Sequence, residues 1–191
     1  MRKHILITSI SLLISSVTIA DSPDKAAAID EAKAITQQFG GLLRTTLIGA
    51  IQSGGPMNAL DVCNIEAMPI TSGVSDEHNA EVSRVSLKNR NPNNAANDWQ
   101  RIVLEDFDKR AAAGESIETM ASHEFVETDG KTQLRFMKAL PTGGPCLACH
   151  GQELNGDLQA RINELYPDDK ATGYTLGDVR GAIVVVKDVE Q

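Results

Sequence analysis

Apolar residues recur at steps of three and four along the first part of the chain, from Ala28 to Leu43. That spacing is typical of an amphipathic helix, and the sequence Gly54-Gly55-Pro56 predicts where the helix stops. A second helix is predicted to begin at Pro56 and to run to about Met68, because Pro69 removes a backbone donor and ends it. The chain is therefore expected to open with a long N-terminal helical region.

Cys63 lies within the second predicted helix, on the same face as Met57, Leu60 and Met68. Because that face is apolar, we expect the thiol to be buried. A buried cysteine is by default a small hydrophobic residue, so burial alone assigns no function to Cys63.

Polar and apolar residues then alternate from residue 80 to residue 88, which is the period of a strand. The pattern predicts one polar side that carries Arg84, Ser86 and Lys88. An apolar run at residues 182–186 predicts a buried central strand from Arg180 to Asp188.

A hairpin is predicted from Met120 to Leu140, with its turn at Asp129-Gly130. A two-residue turn pairs four residues on one face, and we expect that face to be the core side. These four residues are His123, Phe125, Leu134 and Phe136.

Two further helices are predicted between the strands. Asn97 or Asp98 caps a helix that Gly114 closes, and Asn155 caps a helix that ends before Pro167. Helices interleaved with strands indicate the α+β class: a mostly antiparallel sheet, a long N-terminal helix and flanking helices.

Residues 1–20 have the pattern of a cleaved export signal. A short basic start, Arg2 and Lys3, precedes an apolar run, and small residues end at Ala20. The alternative is an anchor that stays in place, but the run is shorter than the roughly 20 residues of a spanning helix. Cleavage after Ala20 leaves residues 21–191 as one domain with no membrane span, in the periplasm or secreted.

The net charge of the chain limits the classes of partner that we expect. The net charge is −8, and removal of Arg2 and Lys3 with the signal makes it −10. Such an acidic surface disfavours nucleic acid and anionic membranes, while it permits a basic protein partner.

The strongest chemical signal is Cys146-Leu147-Ala148-Cys149-His150. A Cys-x-x-Cys-His segment attaches haem covalently through two thioethers, and its histidine becomes an axial iron ligand. A zinc site fits poorly, because it needs four ligands and only Cys63 remains as a further cysteine. A dithiol redox pair has no need of the histidine. We therefore predict one covalent haem c.

The third cysteine, Cys63, has no partner within the chain if haem takes the other two. An unpaired thiol in an oxidising compartment should be buried, bound or liable to cross-link. The residues alone leave the sixth iron ligand open. The candidates are Cys63, His123, Met57, Met68, Met120 and Met137.

Three segments, in this order, resemble a family of exported single-haem proteins, the Tll-type haem proteins, once known only as a domain of unknown function. The segments are residues 59–64 around Cys63, residues 84–94 (Arg-Val-Ser-Leu-Lys-Asn-Arg-Asn-Pro-Asn-Asn) followed by Trp99, and residues 146–151. The resemblance implies a PAS-like fold with a c-type haem, found free-standing or as the sensory part of bacterial signalling proteins. It also implies that Cys63 is the second axial ligand beside His150.

A thiolate ligand stabilises ferric iron, so such a haem should have a low reduction potential. Partly buried haem propionates need cationic neighbours, for which Arg84, Lys88 and Arg90 are the candidates. The expected function is a redox or diatomic-gas sensor module that acts through a periplasmic redox or signalling protein. The alternative is an electron-transfer cytochrome. We do not expect an enzyme, because no acid–base constellation is recognisable.

Overall fold

The structure is a computed structural model, and it describes residues 25–189. The expected export signal, residues 1–20, lies outside this range. Within the described range, no helix is long and apolar enough to cross a membrane. The elements in chain order are α1 (Lys25–His78), β1 (Glu81–Val85), a short 3-10 helix (Pro92–Asn94), α2 (Asp98–Ala112), β2 (Ala121–Thr128), β3 (Lys131–Pro141), α3 (Gly144–His150), α4 (Gly156–Leu165) and β4 (Val179–Asp188).

The strands form one antiparallel sheet with the order β1-β4-β3-β2. The apolar run that predicted a buried central strand is β4, which pairs with β1 on one side and with β3 on the other. The prediction of an α+β, PAS-like domain is confirmed: the antiparallel sheet is accompanied by a long N-terminal helix and flanking helices.

Both faces of the sheet are covered, because successive side chains of a strand point to opposite faces. Ile183 and Val185 of β4 pack with Phe39 and other residues of α1. Ala182 and Val184 of β4 pack with Phe107 and other residues of α2. This two-sided burial explains why β4 is apolar without alternation.

The predicted hairpin is confirmed. Asp129 and Gly130 have φ angles of 52° and 77°, as a type I′ turn requires, and Phe125 pairs with Leu134. The expectation that His123 lies in the core is wrong: it pairs opposite Phe136 but is exposed. It lies on the edge strand β2, where the helices give less cover.

The helix break predicted at Gly54-Gly55-Pro56 is confirmed, whereas the predicted end of the second helical part is not. The regular geometry of α1 breaks at Gly54 and Gly55, and the φ of 72° at Gly55 suits glycine. The chain then continues as helix through Pro69 to His78, so the predicted stop at Pro69 is wrong. The carbonyl group that loses its donor belongs to the exposed Ile65, where water can bind it.

The break turns the second half of α1 back toward the first half. Gln38 donates a hydrogen bond to Glu77 at 2.7 Å and lies 2.7 Å from the His78 ring. The predicted apolar face around Cys63 is only partly correct: Leu60 is buried, whereas Met57 and Met68 are exposed and Cys63 is half-buried. Only the part of α1 near Leu60 is covered by α4.

Both later helix predictions are confirmed at their caps. The Asn97 side chain accepts a hydrogen bond from the backbone N–H of Gln100, and the Gln100 side chain accepts one from the backbone N–H of Asn97. Helix α2 therefore begins with a capping box. The Asn155 side chain accepts from the N–H groups of Asp157 and Leu158 at the start of α4.

Candidate functional site

The Cys-x-x-Cys-His segment forms the short helix α3. Cys146 and Cys149 are three residues apart, so they lie on one helix face, and both are half-buried. The helix closes where Gly151 donates its N–H to the carbonyl of Leu147 at 2.9 Å. A Cβ atom at position 151 would lie 2.6 Å from that carbonyl oxygen, so glycine is required directly after the motif.

His150 is oriented by the loop that follows α4. Its Nδ1 lies 2.7 Å from the carbonyl oxygen of Ala171, and since a carbonyl only accepts, Nδ1 carries the hydrogen. The Nε2 atom then keeps its lone pair in the ring plane. Two backbone bonds hold the loop against α3: Gly173 donates to Gly151 at 2.9 Å and Tyr174 donates to His150 at 3.0 Å.

A buried ion pair supports this loop. Arg90 donates from Nε and Nη2 to the two carboxylate oxygens of Asp169 at 3.1 Å each, and the side chains are only 10% and 6% exposed. Arg90 also donates to the carbonyl of Cys149 at 2.7 Å. Asp169 accepts the N–H of Ala171 at 2.9 Å. Arg90 therefore links the last turn of α3 to the residue that orients His150.

Arg180, the second residue of β4, reaches the other side of the histidine. It is buried, and its Nη2 lies 3.3 Å from Nδ1 and 3.4 Å from Nε2 of His150. Its Nη1 lies 3.3 Å from the Ser86 hydroxyl and 3.5 Å from the carbonyl of Lys88. Sequence reasoning assigned Arg180 only to a strand; the available signal was an arginine beginning an otherwise apolar run.

This surrounding keeps His150 neutral. Burial lowers the pKa of His150 from 6.5 to about 2, and the charges of Arg180, Arg90 and Arg84 act in the same direction. The hydrogen bond to Ala171 acts in the opposite direction. A neutral imidazole with a free Nε2 lone pair is the form that binds a metal.

The chain matches one known protein family and one solved structure. The profile of the Tll0287-like family, described as Tll0287, matches residues 19–187. The chain belongs to the Tll0287-like family. The crystal structure of the cyanobacterial haem protein Tll0287 matches with a TM-score of 0.58 and 25% sequence identity, over 89% of this chain and 98% of that chain. No curated protein matches the chain. The family resemblance inferred from the three segments is thus confirmed.

In this member of the Tll0287-like family, Arg84 and Cys63 approach the motif from different elements. Burial lowers the pKa of Arg84, while the thiols of Cys63 and Cys146 act in the opposite direction. Burial raises the pKa of Cys63, and Arg84 acts against it. Burial likewise raises the pKa of Cys149, against the charge of Arg90. The three thiols, carried by α1 and α3, thus share one electrostatic environment.

Arg84 has no ion-pair partner within residues 25–189. Lys88 differs from Arg84, because β1 ends at Val85 and the predicted shared polar side does not extend to Lys88. The Lys88 ammonium donates to the carbonyl of Thr172 at 2.9 Å and lies 4.5 Å from the centre of the Tyr174 ring. Arg90 and Lys88 therefore both donate hydrogen bonds to acceptors of the chain. Among residues 25–189, no acceptor is found for the guanidinium of Arg84.

The other candidate iron ligands lie in different surroundings. Met120 and Met137 are fully buried in the core between the sheet and α2. His123 is exposed on β2, at the opposite edge of the sheet from β1, whereas Met57 and Met68 are exposed on α1.

An apolar cluster lies beside the motif. Leu60 of α1 packs with Leu158 and Ile162 of α4, and Cys149 and Tyr166 contact this cluster. On its outer side, α4 is joined to α1 by the ion pair between Arg161 and Asp61, at 2.9 Å. The motif therefore has apolar side chains on one side and arginines on the other.

Proposed function

We propose that this chain carries one haem c, attached through thioether bonds to Cys146 and Cys149, with His150 as an axial iron ligand. The thiols lie on one face of a short helix, and the histidine has its Nδ1 atom occupied and its Nε2 atom free. The crystal structure that resembles this chain is that of a haem protein. Together these observations favour haem over zinc or dithiol chemistry.

The charges around the site fit a haem. The main charges that act on His150 are those of Arg180, Arg90 and Arg84, all of them cationic. Asp169 neutralises Arg90, which leaves an excess of positive charge in an otherwise acidic protein. Two propionate groups supply the missing negative charge, and Arg84 is the residue best placed to pair with one of them.

Arg90 and Lys88 contribute in another way. Arg90 is committed to Asp169 and to the carbonyl of Cys149, so its main role is to hold the motif helix and the histidine loop together. Lys88 is bound to Thr172 and Tyr174, and it adds positive charge at the edge of the site.

We further propose that Cys63 is the second axial ligand. The observation that carries this proposal is the convergence of Cys63, from α1, with the motif of α3 around Arg84. Metal ligation requires the thiolate, and the positive charge of Arg84 favours that form. When bound, a haem with a thiolate ligand supplies a low-potential one-electron couple and an iron position that exchanges ligands on reduction.

The function that follows is a redox or diatomic-gas sensor module, periplasmic or secreted, without catalytic turnover. Such a module needs a periplasmic redox or signalling protein to receive its signal. An electron-transfer cytochrome of the same build would keep both axial ligands through the redox cycle, and it would bind no gas.

The test compares Cys63→Ala with Met68→Leu, a control on the same helix, after expression with haem-attachment machinery. We expect both variants to carry haem, but only Cys63→Ala to change the ferric absorption bands, because only Cys63 contacts the iron. An unchanged spectrum in Cys63→Ala would exclude Cys63 as the ligand. Carbon monoxide or nitric oxide binding by the reduced wild type supports the sensor, whereas reversible redox without gas binding supports the carrier.

A further inference from the structure

Arg180 is an unusual buried charge. Its exposed fraction is 8%, its Nε atom has no hydrogen-bond partner, and no carboxylate within residues 25–189 pairs with it. Burial and the nearby Arg84 lower its pKa to about 10, so the guanidinium stays charged near neutral pH. A buried cation without a counter-charge is costly, which suggests that the fold retains it for its effect on the site.

The position of Arg180 relative to His150 follows from two distances. The Nη2 atom is 3.3 Å from Nδ1 and 3.4 Å from Nε2. An atom in the ring plane at such equal distances would collide with Cε1, which lies between the two nitrogens. Nη2 therefore lies out of the ring plane, over one face of the imidazole, and it is not aligned with the in-plane lone pair of either nitrogen.

The position of Nη2 over the ring face leaves the ring plane available. The Nδ1–H bond to Ala171 and the Nε2 lone pair both lie in that plane, so Arg180 blocks neither of them. The guanidinium is also held from other directions: the Ser86 hydroxyl and the Lys88 carbonyl contact Nη1, and the centre of the Tyr174 ring lies 4.9 Å away. Its position is thus fixed independently of His150.

We propose that Arg180 is a positioning residue that places a fixed positive charge on the face of the axial imidazole and thereby raises the reduction potential of the haem iron. The inference rests on the proposed role of His150 as axial ligand. Ferric iron carries one more positive charge than ferrous iron, so a buried cation next to its ligand disfavours the ferric form. This effect opposes the thiolate, and together they set the potential.

The test is a spectroelectrochemical titration of the haem-loaded protein and its variants. Arg180→Met removes the charge, Arg180→Lys keeps it, and Arg135→Met removes a control cation. Arg135 also lies on an aromatic ring, 5.2 Å from the centre of Trp99, and its side chain is 28% exposed.

At the wild-type midpoint potential, we expect Arg180→Met to shift the ferric-to-ferrous ratio about tenfold toward ferric, which equals a potential lower by about 59 mV. Arg180→Lys should stay closer to the wild type than Arg180→Met, and Arg135→Met should not shift the ratio. Ser86→Ala, which loosens the guanidinium without removing its charge, should lower the potential by a smaller amount. That variant decides the question if Arg180→Met fails to fold or to carry haem.

The outcomes separate the two proposals. Haem attachment in the wild type with an unchanged potential in Arg180→Met overturns the role of Arg180 and leaves the proposed function intact. An equal loss in Arg180→Lys and Arg180→Met overturns charge as the cause. No shift in Ser86→Ala, when Arg180→Met carries no haem, also overturns the inference. Absence of attached haem in the wild type overturns both proposals.

Discussion

Substitution of Asp169 by Asn tests whether the buried ion pair with Arg90 holds the site together. The Asp169 carboxylate accepts three hydrogen bonds, two from Arg90 at 3.1 Å and one from the N–H of Ala171 at 2.9 Å. Asparagine keeps the shape and one acceptor oxygen, but it leaves Arg90 buried without its counter-charge.

The expected loss of stability is large. Removal of one partner of a buried ion pair destabilises a protein by about 3–5 kcal/mol, because the remaining charge stays desolvated. Since asparagine retains an acceptor for Ala171, we expect about 3 kcal/mol for Asp169→Asn. For a domain of this size, that loss lowers the melting temperature by about 6–12 °C.

The assay is urea unfolding of the apoprotein, with Asp188→Asn as the matched control. Asp188 pairs with Lys131 at 2.8 Å, but those side chains are 49% and 68% exposed, so the control should lose less than about 1 kcal/mol. In the double variant Arg90→Gln/Asp169→Asn both charges are absent. We therefore expect its loss of stability to be smaller than the sum of the losses in the two single variants. A loss in Asp169→Asn no larger than in Asp188→Asn would refute the role assigned to the pair.

Three further predictions follow from the site. Gly151→Ala should lose about 1–3 kcal/mol of stability through its close carbonyl contact, whereas Gly144→Ala, with open space around it, should be near neutral in the same denaturation assay. Because the pKa of His150 is 6.5 when unfolded and about 2 when folded, only the unfolded chain gains its proton as the pH falls through this window. The free energy of unfolding of the apoprotein should therefore fall by up to about 1.4 kcal/mol per pH unit below pH 6.5. The fall should be less steep in His150→Gln, and equal slopes in the two proteins would contradict the lowered pKa of His150. Arg84→Gln should weaken non-covalent haemin binding at least about tenfold in an absorbance titration, because it loses a charge-assisted hydrogen bond, while Arg101→Gln, an exposed change on α2, should bind normally.

Much of the fold was predictable because local signals agreed with tertiary packing. Asp129-Gly130 fixed the hairpin register, since only residues that tolerate positive φ angles form this turn. Asn97 and Asn155 marked two helix starts through side-chain caps. The prediction that the helix ends at Pro69 was wrong. Proline removes the N–H donor for one carbonyl group of the helix, and the helix ends there only if that carbonyl group finds no other partner.

The residues of the site could be predicted only where those that act together are close in the sequence or where their number is unusual. The motif at residues 146–150 and the odd cysteine could be recognised from spacing and number alone. The roles of Asp169 and Arg180 could not be recognised, because Asp169 binds the Ala171 loop and Arg180 contacts His150 from β4, and the sequence does not connect either segment to α3. Their partners became visible only once the chain was folded.

The most direct test of the central claim is whether haem is attached covalently to α3. We predict that wild-type protein, produced with haem-attachment machinery, retains one haem per chain after extraction with acidified acetone, as measured by intact-protein mass. The Cys146→Ser/Cys149→Ser variant should release its haem under the same treatment. Complete release of haem from the wild type, or a wild-type mass without any added haem, would contradict the account.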